Sequence, residues 1–242
     1  QGYLRNPLAE PGLIGASSGA ALGAVLAFYS GLSAAFALAV PICGILGALV
    51  AVFAVYLLAG NLGSPLTLIL AGVAVSAFAG ALTSLALNLS PNPFAVTEIV
   101  FWLMGSLADR GMDHVRLALP FMIAGSILLF TLARTLDGIT LGEDVARSLG
   151  INLKHTQALL IAGTALSVGA ATSVAGAIGF VGLVAPHMLR PFTGGRPGRL
   201  LPLSFFGGAS LVLAADCAIR VFTPGHEMKL GVLTALLGAP FF

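Results

Sequence analysis

No Asp, Glu, Lys or Arg occurs between Glu10 and Glu98, so residues 11–97 form an uninterrupted charge-free run. A helix needs about 20 apolar residues to cross a bilayer, and this run alone holds three crossings with short turns between them. Lipid offers no partner for backbone N–H and C=O groups, so the crossing elements are either helices or a closed barrel. Barrel strands read as alternating segments of about ten residues; nothing in this sequence alternates in that way. Only 8% of the chain is charged, against about 25% in soluble domains. The sequence therefore predicts an all-α integral membrane protein, a polytopic helical bundle forming a single transmembrane domain over residues 1–242. A net charge of +2 from scattered basic residues gives no patch for nucleic acid.

Turn and breaker residues divide the apolar mass. The predicted spans are Gly12 to Phe28, Ala34 to Ala59, Leu66 to Leu89, Val115 to Arg134, Gln157 to Ala177 and Leu200 to Phe222, with a last span beginning near Leu230. The segment Ala95 to Ala108 carries Glu98 and is too short to cross, so it reads as an interfacial helix. Gly179 to Leu189 reads as a short helix that penetrates part-way and ends near Pro186 and His187. If Arg5, Arg134 to Lys154 and Arg190 to Arg199 share one side, that side holds seven basic residues. The other holds four, namely Arg110, Arg116, Arg220 and Lys229; the seven-residue side is then cytoplasmic. Gly15, Gly19 and Gly23 form a doubled small-residue motif, read as tight packing within the subunit in preference to a dimer seam. Cys43 and Cys217 lie in apolar segments and read as packing residues. The chain opens without Met or a signal peptide and stops at Phe241-Phe242 within an apolar run, so both ends look cut.

The chemistry-bearing residues are few. Glu143 and Asp144 lie where a first helical turn would favour acids, and Arg147 follows Glu143 at the spacing of a helical ion pair. Gly150 supplies a C-terminal stop, so residues 143–150 predict a short helix within the polar stretch 137–155. Asp216 and Arg220 are four apart near one end of a span, which predicts an intrahelical pair that lowers the cost of charge in that position. Gly63, Ser64, Pro65, Leu66 and Thr67 predict a helix-breaking turn. Neither lysine, Lys154 or Lys229, sits in a Gly-Lys-Ser/Thr phosphate loop, and no catalytic motif is present. His114, His155, His187 and His226 lack ligand spacing, so no metal site is predicted. An intramembrane enzyme would need a cluster of polar groups within the spans. An ion-coupled transporter would ordinarily carry charged or proton-relaying residues near mid-membrane, and the long charge-free run argues against one.

The segment Arg5-Asn6-Pro7-Leu8-Ala9-Glu10-Pro11-Gly12-Leu13-Ile14-Gly15, followed by Ser18-Gly19-Ala20, resembles the opening motif of the BtuC/FecCD permeases of ATP-binding-cassette importers. Four more segments follow in that family's order: Leu70-Ala71-Gly72-Val73, Phe101 to Leu107, Gly179 to His187, and Gly231 to Phe242. The resemblance implies the type II importer permease fold of ten transmembrane helices. About eight of these, helices three to ten, correspond to this chain. It implies a multi-pass subunit of the bacterial inner membrane. Its partners would be a second copy of itself, two cytoplasmic ATPase subunits that use ATP and Mg, an external substrate-binding protein and membrane lipid. This chain itself would bind no cofactor. The implied ATPase-coupling residues are Leu141, Gly142, Glu143, Asp144, Ala146, Arg147, Leu149 and Gly150, with Ala146 and Gly150 permitting close approach. Arg220 is implied in docking of the binding protein, and Gly63 to Thr67 as the cytoplasmic gate. Lys229 departs from the family's usual proline. The cargo class implied is a metal chelate, a ferric siderophore first and cobalamin or haem next.

Overall fold

A computed structural model describes residues 1–4, 6, 9–60, 65–90, 92–223 and 228–241. These are helical almost throughout. Among the described residues, five helices are long and apolar enough to cross a bilayer: α3 (Ala39–Ala59), α4 (Pro65–Asn88), α6 (Met112–Thr131), α9 (Leu153–Ala175) and α11 (Pro197–Phe222). Shorter helices lie between them: α1 (Ala16–Tyr29), α2 (Leu32–Ala35), α5 (Pro93–Leu103), α7 (Ala133–Ile139), α8 (Glu143–Ser148), α10 (Val181–Leu189) and α12 (Leu230–Gly238). Large apolar side chains such as Val50, Phe53, Phe78 and Leu213 are exposed on the long helices, as a lipid-facing surface requires.

Three predicted boundaries are corrected. The first span is shorter than expected, because Gly15 adopts a left-handed conformation at φ 77° and separates a 3-10 turn at Pro11–Ile14 from α1. The span predicted from Ala34 is broken at Phe36, which is extended (φ −149°, ψ 119°) before α3 begins at Ala39. Pro41 supplies the reason, since its ring would clash with the carbonyl four residues back at position 37 if the helix ran continuously. The interfacial helix stops at Leu103 instead of Ala108, because Gly105 turns left-handed (φ 73°) and the Ser106 N–H donates to the Ala175 carbonyl at 2.7 Å. α10 ends at Leu189 as predicted, running through Pro186. The Gly182 carbonyl, deprived of a donor by that proline, accepts from the Gln1 side-chain amide at 3.3 Å.

Glycine lets the inner helices meet backbone to backbone. A Cβ at Gly23 would fall on the Cys43 carbonyl oxygen, and one at Gly47 on the Gly19 carbonyl oxygen. The α1–α3 crossing is therefore the close packing predicted for Gly19 and Gly23, while Gly15 acts as a cap. At the far end of α9, Gly176 (φ 76°) faces the Trp102 carbonyl and Gly231 the Met104 carbonyl, each too close for a Cβ. The ends of α5, α9 and α12 thus meet main chain against main chain, with the Gly231 N–H donating to the Met104 carbonyl at 3.1 Å. Lys229 caps α12 at φ −78°, a value proline also adopts. Its ammonium lies 5.4 Å from the Phe101 ring centroid. α1, α3 and α4 border an apolar groove of about 880 Å³, walled by Leu22, Leu26, Leu46, Val50 and Phe78.

Candidate functional site

The short helix predicted in the polar stretch is present as α8. Its first turn carries Glu143 and Asp144, and Arg147 reaches both, at 3.6 Å and 3.7 Å. These pairs are solvent-exposed and contribute at most about 1 kcal/mol. The stop is stronger. Gly150 (φ 79°) donates its N–H to the Arg147 carbonyl at 2.9 Å and Ile151 donates to Ala146 at 3.0 Å, the paired bonds of a Schellman cap.

Ala146 does not face outward as expected. It is fully buried in the chain's own core, clustered with Tyr3, Leu136, Ile139 and Ile161. Tyr3 of the N-terminal segment is buried in the same cluster. Burial, with the Glu143 carboxylate adding to it, raises the Tyr3 phenol above its ordinary value. With Ala146 turned in, the outward face of the segment presents Leu141, Val145 and Leu149, exposed by 65%, 44% and 62%. Val145 in α8 and Leu149 at its C-cap lie four apart, and Leu141 precedes the helix across Gly142; together they give the segment an exposed apolar ridge flanked by Asp144 and Arg147. Val145 was not among the residues singled out from sequence. The signal that finds it is its spacing of four from Leu149 on the short helix.

The second predicted pair is also formed. Arg220 Nε donates to Asp216 Oδ2 at 2.8 Å. Asp216 is largely enclosed whereas Arg220 is 62% exposed, so the guanidinium is held by one edge and leaves its remaining N–H groups outward. The two features lie on opposite sides of the bundle. The Gly198 N–H at the start of α11 donates to Asp137 of α7, beside α8, and Arg220 lies 22 residues further along the same helix. At 1.5 Å per residue that is about 33 Å, the thickness of a bilayer's hydrocarbon core. Arg134, Arg147, Lys154, Arg196 and Arg199 gather at the α8 end, and Arg110, Arg116, Arg220 and Lys229 at the other, which is the division assumed from sequence.

Of the predicted gate, Gly63 and Ser64 lie outside the described residues, as do Arg5, His226 and Glu227 elsewhere. Pro65, Leu66 and Thr67 form the first turn of α4, with Leu66 63% exposed and proline in the position where its missing N–H costs nothing.

With this geometry in view, comparison with known proteins is decisive. The model of the FecCD transport family matches residues 1–242. The chain belongs to the FecCD transport family. Similar relatives include the cobalamin import system permease protein BtuC of Halobacterium salinarum, 40% identical over all of this chain and 64% of that protein. The Fe(3+) dicitrate transport system permease protein FecD of Escherichia coli is also 40% identical, over all of this chain and 75% of that protein. The hemin transport system permease protein HmuU of Yersinia pestis is 37% identical, over all of this chain and 73% of that protein. A solved metal-chelate type ABC transporter in an inward-facing conformation superposes with a TM-score of 0.92 at 34% identity, covering all of this chain and 77% of that one. The FecCD chain described here is thus a multi-pass helical membrane protein whose relatives are transport permeases, and it spans 64% to 75% of the length of the three named.

Proposed function

We propose that this chain is the membrane-spanning permease subunit of an ATP-binding-cassette importer that carries a metal chelate inward by alternating access. A single structural feature carries the reading: an apolar ridge at Leu141, Val145 and Leu149 on an otherwise polar connection, about one membrane thickness from the outward-held Arg220. The ridge suits a groove in a cytoplasmic ATPase subunit, because exposed apolar residues rimmed by charge are what a docking surface requires. Two such subunits, binding ATP and Mg, would act on two copies of the permease in the inner membrane. An external binding protein would deliver cargo to the opposite side. Cargo selection rests largely with that protein. A ferric siderophore is the first choice, and the cobalamin and hemin systems among the relatives keep those cargoes next.

Arg220 tests the external side. Arg220→Glu should lower affinity for the binding protein by about tenfold at low salt, through lost attraction and new repulsion. The deficit should shrink as ionic strength rises and screens the contact. Surface plasmon resonance of the purified complex at several salt concentrations measures it. Unchanged affinity in a folded variant would leave Arg220 with only its Asp216 partner.

A further inference from the structure

α7 and α11 are joined by a polar contact that no sequence motif announces. Asp137 Oδ1 accepts the Gly198 N–H at 2.7 Å, across 61 residues of chain. Gly198 is the second residue of α11, so its N–H is one of the four with no partner inside the helix. A carboxylate in that position also faces the positive end of the helix dipole. Glycine permits the approach, because a Cβ at position 198 would lie 2.6 Å from Asp137 Oδ2 and 2.8 Å from the Ala133 carbonyl oxygen.

The placement of Asp137 gives this contact a mechanical meaning. α7 leads into α8 through a tight turn in which the Gly142 N–H donates to Ile139 at 3.1 Å. Leu136 and Ile139 share the buried cluster of Ala146, and the turn keeps α7 packed directly against α8. α11 runs as one helix from Pro197 through an internal proline, Pro202, to Arg220 and Phe222. We propose that Asp137 is a positioning residue that transmits displacement of the α7–α8 body to α11, linking the ridge on one side of the membrane to the helix that carries Arg220 on the other. This rests on the importer reading above.

The test uses the complete transporter in proteoliposomes with its ATPase and binding protein, offered ferric dicitrate, haem and cobalamin in turn. ATP hydrolysis and cargo uptake are measured together. Asp137→Ala should leave hydrolysis within about twofold of wild type but lower cargo moved per ATP by about tenfold, within the range of coupling lost at transmitting positions. Asp137→Asn keeps an Oδ1 acceptor and should restore the ratio to within about twofold, a rescue expected of the hydrogen bond and not of the charge. Gly198→Ala, which forces the two helices apart while leaving the carboxylate, should reproduce the defect. If Asp137→Ala does not assemble, the Asn and Gly198→Ala variants decide the matter in the same way. A wild-type ratio in Asp137→Ala or Gly198→Ala, or an Asn variant as uncoupled as the expected Ala variant, overturns the role of Asp137. Absence of ATP-driven uptake in the wild type would instead overturn the importer reading.

Discussion

Gly72→Leu should yield no folded protein, whereas Gly80→Leu, on the same helix, should purify and melt like the wild type. A Cβ at Gly72 would fall on the Leu13 carbonyl oxygen, with the Ile14 Cα only 3.2 Å away. α4 meets the 3-10 turn at Pro11–Ile14 main chain against main chain, so no rotamer change makes room. Overpacking of a tight interior costs about 1–3 kcal/mol even where side chains can move. Here the obstacle is backbone, and the loss should exceed that range. Gly80 has nothing within 4 Å of its would-be Cβ, and leucine there should if anything favour the helix by close to 1 kcal/mol. Thermal denaturation of detergent-purified variants, followed by size exclusion, measures both. Equal melting temperatures would show that the α4 contact is not close-packed.

Ala146→Arg and Leu149→Arg should fail in different ways, although both lie in the segment proposed to dock the ATPase. Ala146 is fully buried, in the same apolar cluster as Tyr3, Leu136, Ile139 and Ile161. An unpaired guanidinium there should destabilise the fold by about 3–5 kcal/mol, the cost of an uncompensated buried charge. Leu149 is 62% exposed, so arginine in its place should change stability by no more than about 0.5 kcal/mol. It should nonetheless abolish co-elution of the ATPase subunit and the rise in hydrolysis caused by loaded binding protein. Melting curves and co-elution together separate the two outcomes. A stable Ala146→Arg variant would show that α8 faces the other way, and normal co-elution with Leu149→Arg would remove the ridge from the interface.

The sequence discloses the membrane class because the charge-free run permits nothing else, and it discloses α8 because Glu143, Arg147 and Gly150 are local signals for a helix and its end. It does not disclose which way α8 faces. In a six-residue helix, small Ala146 suits either a partner's groove or the chain's own core, and only the packing of segments distant in sequence decides. The break at Phe36 was legible in principle from Pro41, but the apolar residues on either side mask it in any reading based on hydrophobic runs. Gly72, Gly105 and Gly231 stand within recognisable motifs, and Gly176 lies three residues before another. Their purpose is to admit a carbonyl from another helix, and which carbonyl is a property of the fold. Asp137 gave no signal at all, because its partner is a backbone N–H 61 residues away, and nothing in the sequence marks Gly198 as that donor.

The most direct test of the importer reading is ATP-dependent accumulation of cargo by proteoliposomes holding the permease, its ATPase and its binding protein, with the wild type and Leu149→Arg compared side by side. The wild type should accumulate a ferric siderophore, haem or cobalamin only when ATP is supplied on the ATPase side, and Leu149→Arg should accumulate none while the binding protein still docks at the opposite face. Uptake by the permease alone, driven by a proton or sodium gradient without ATP, would contradict the account.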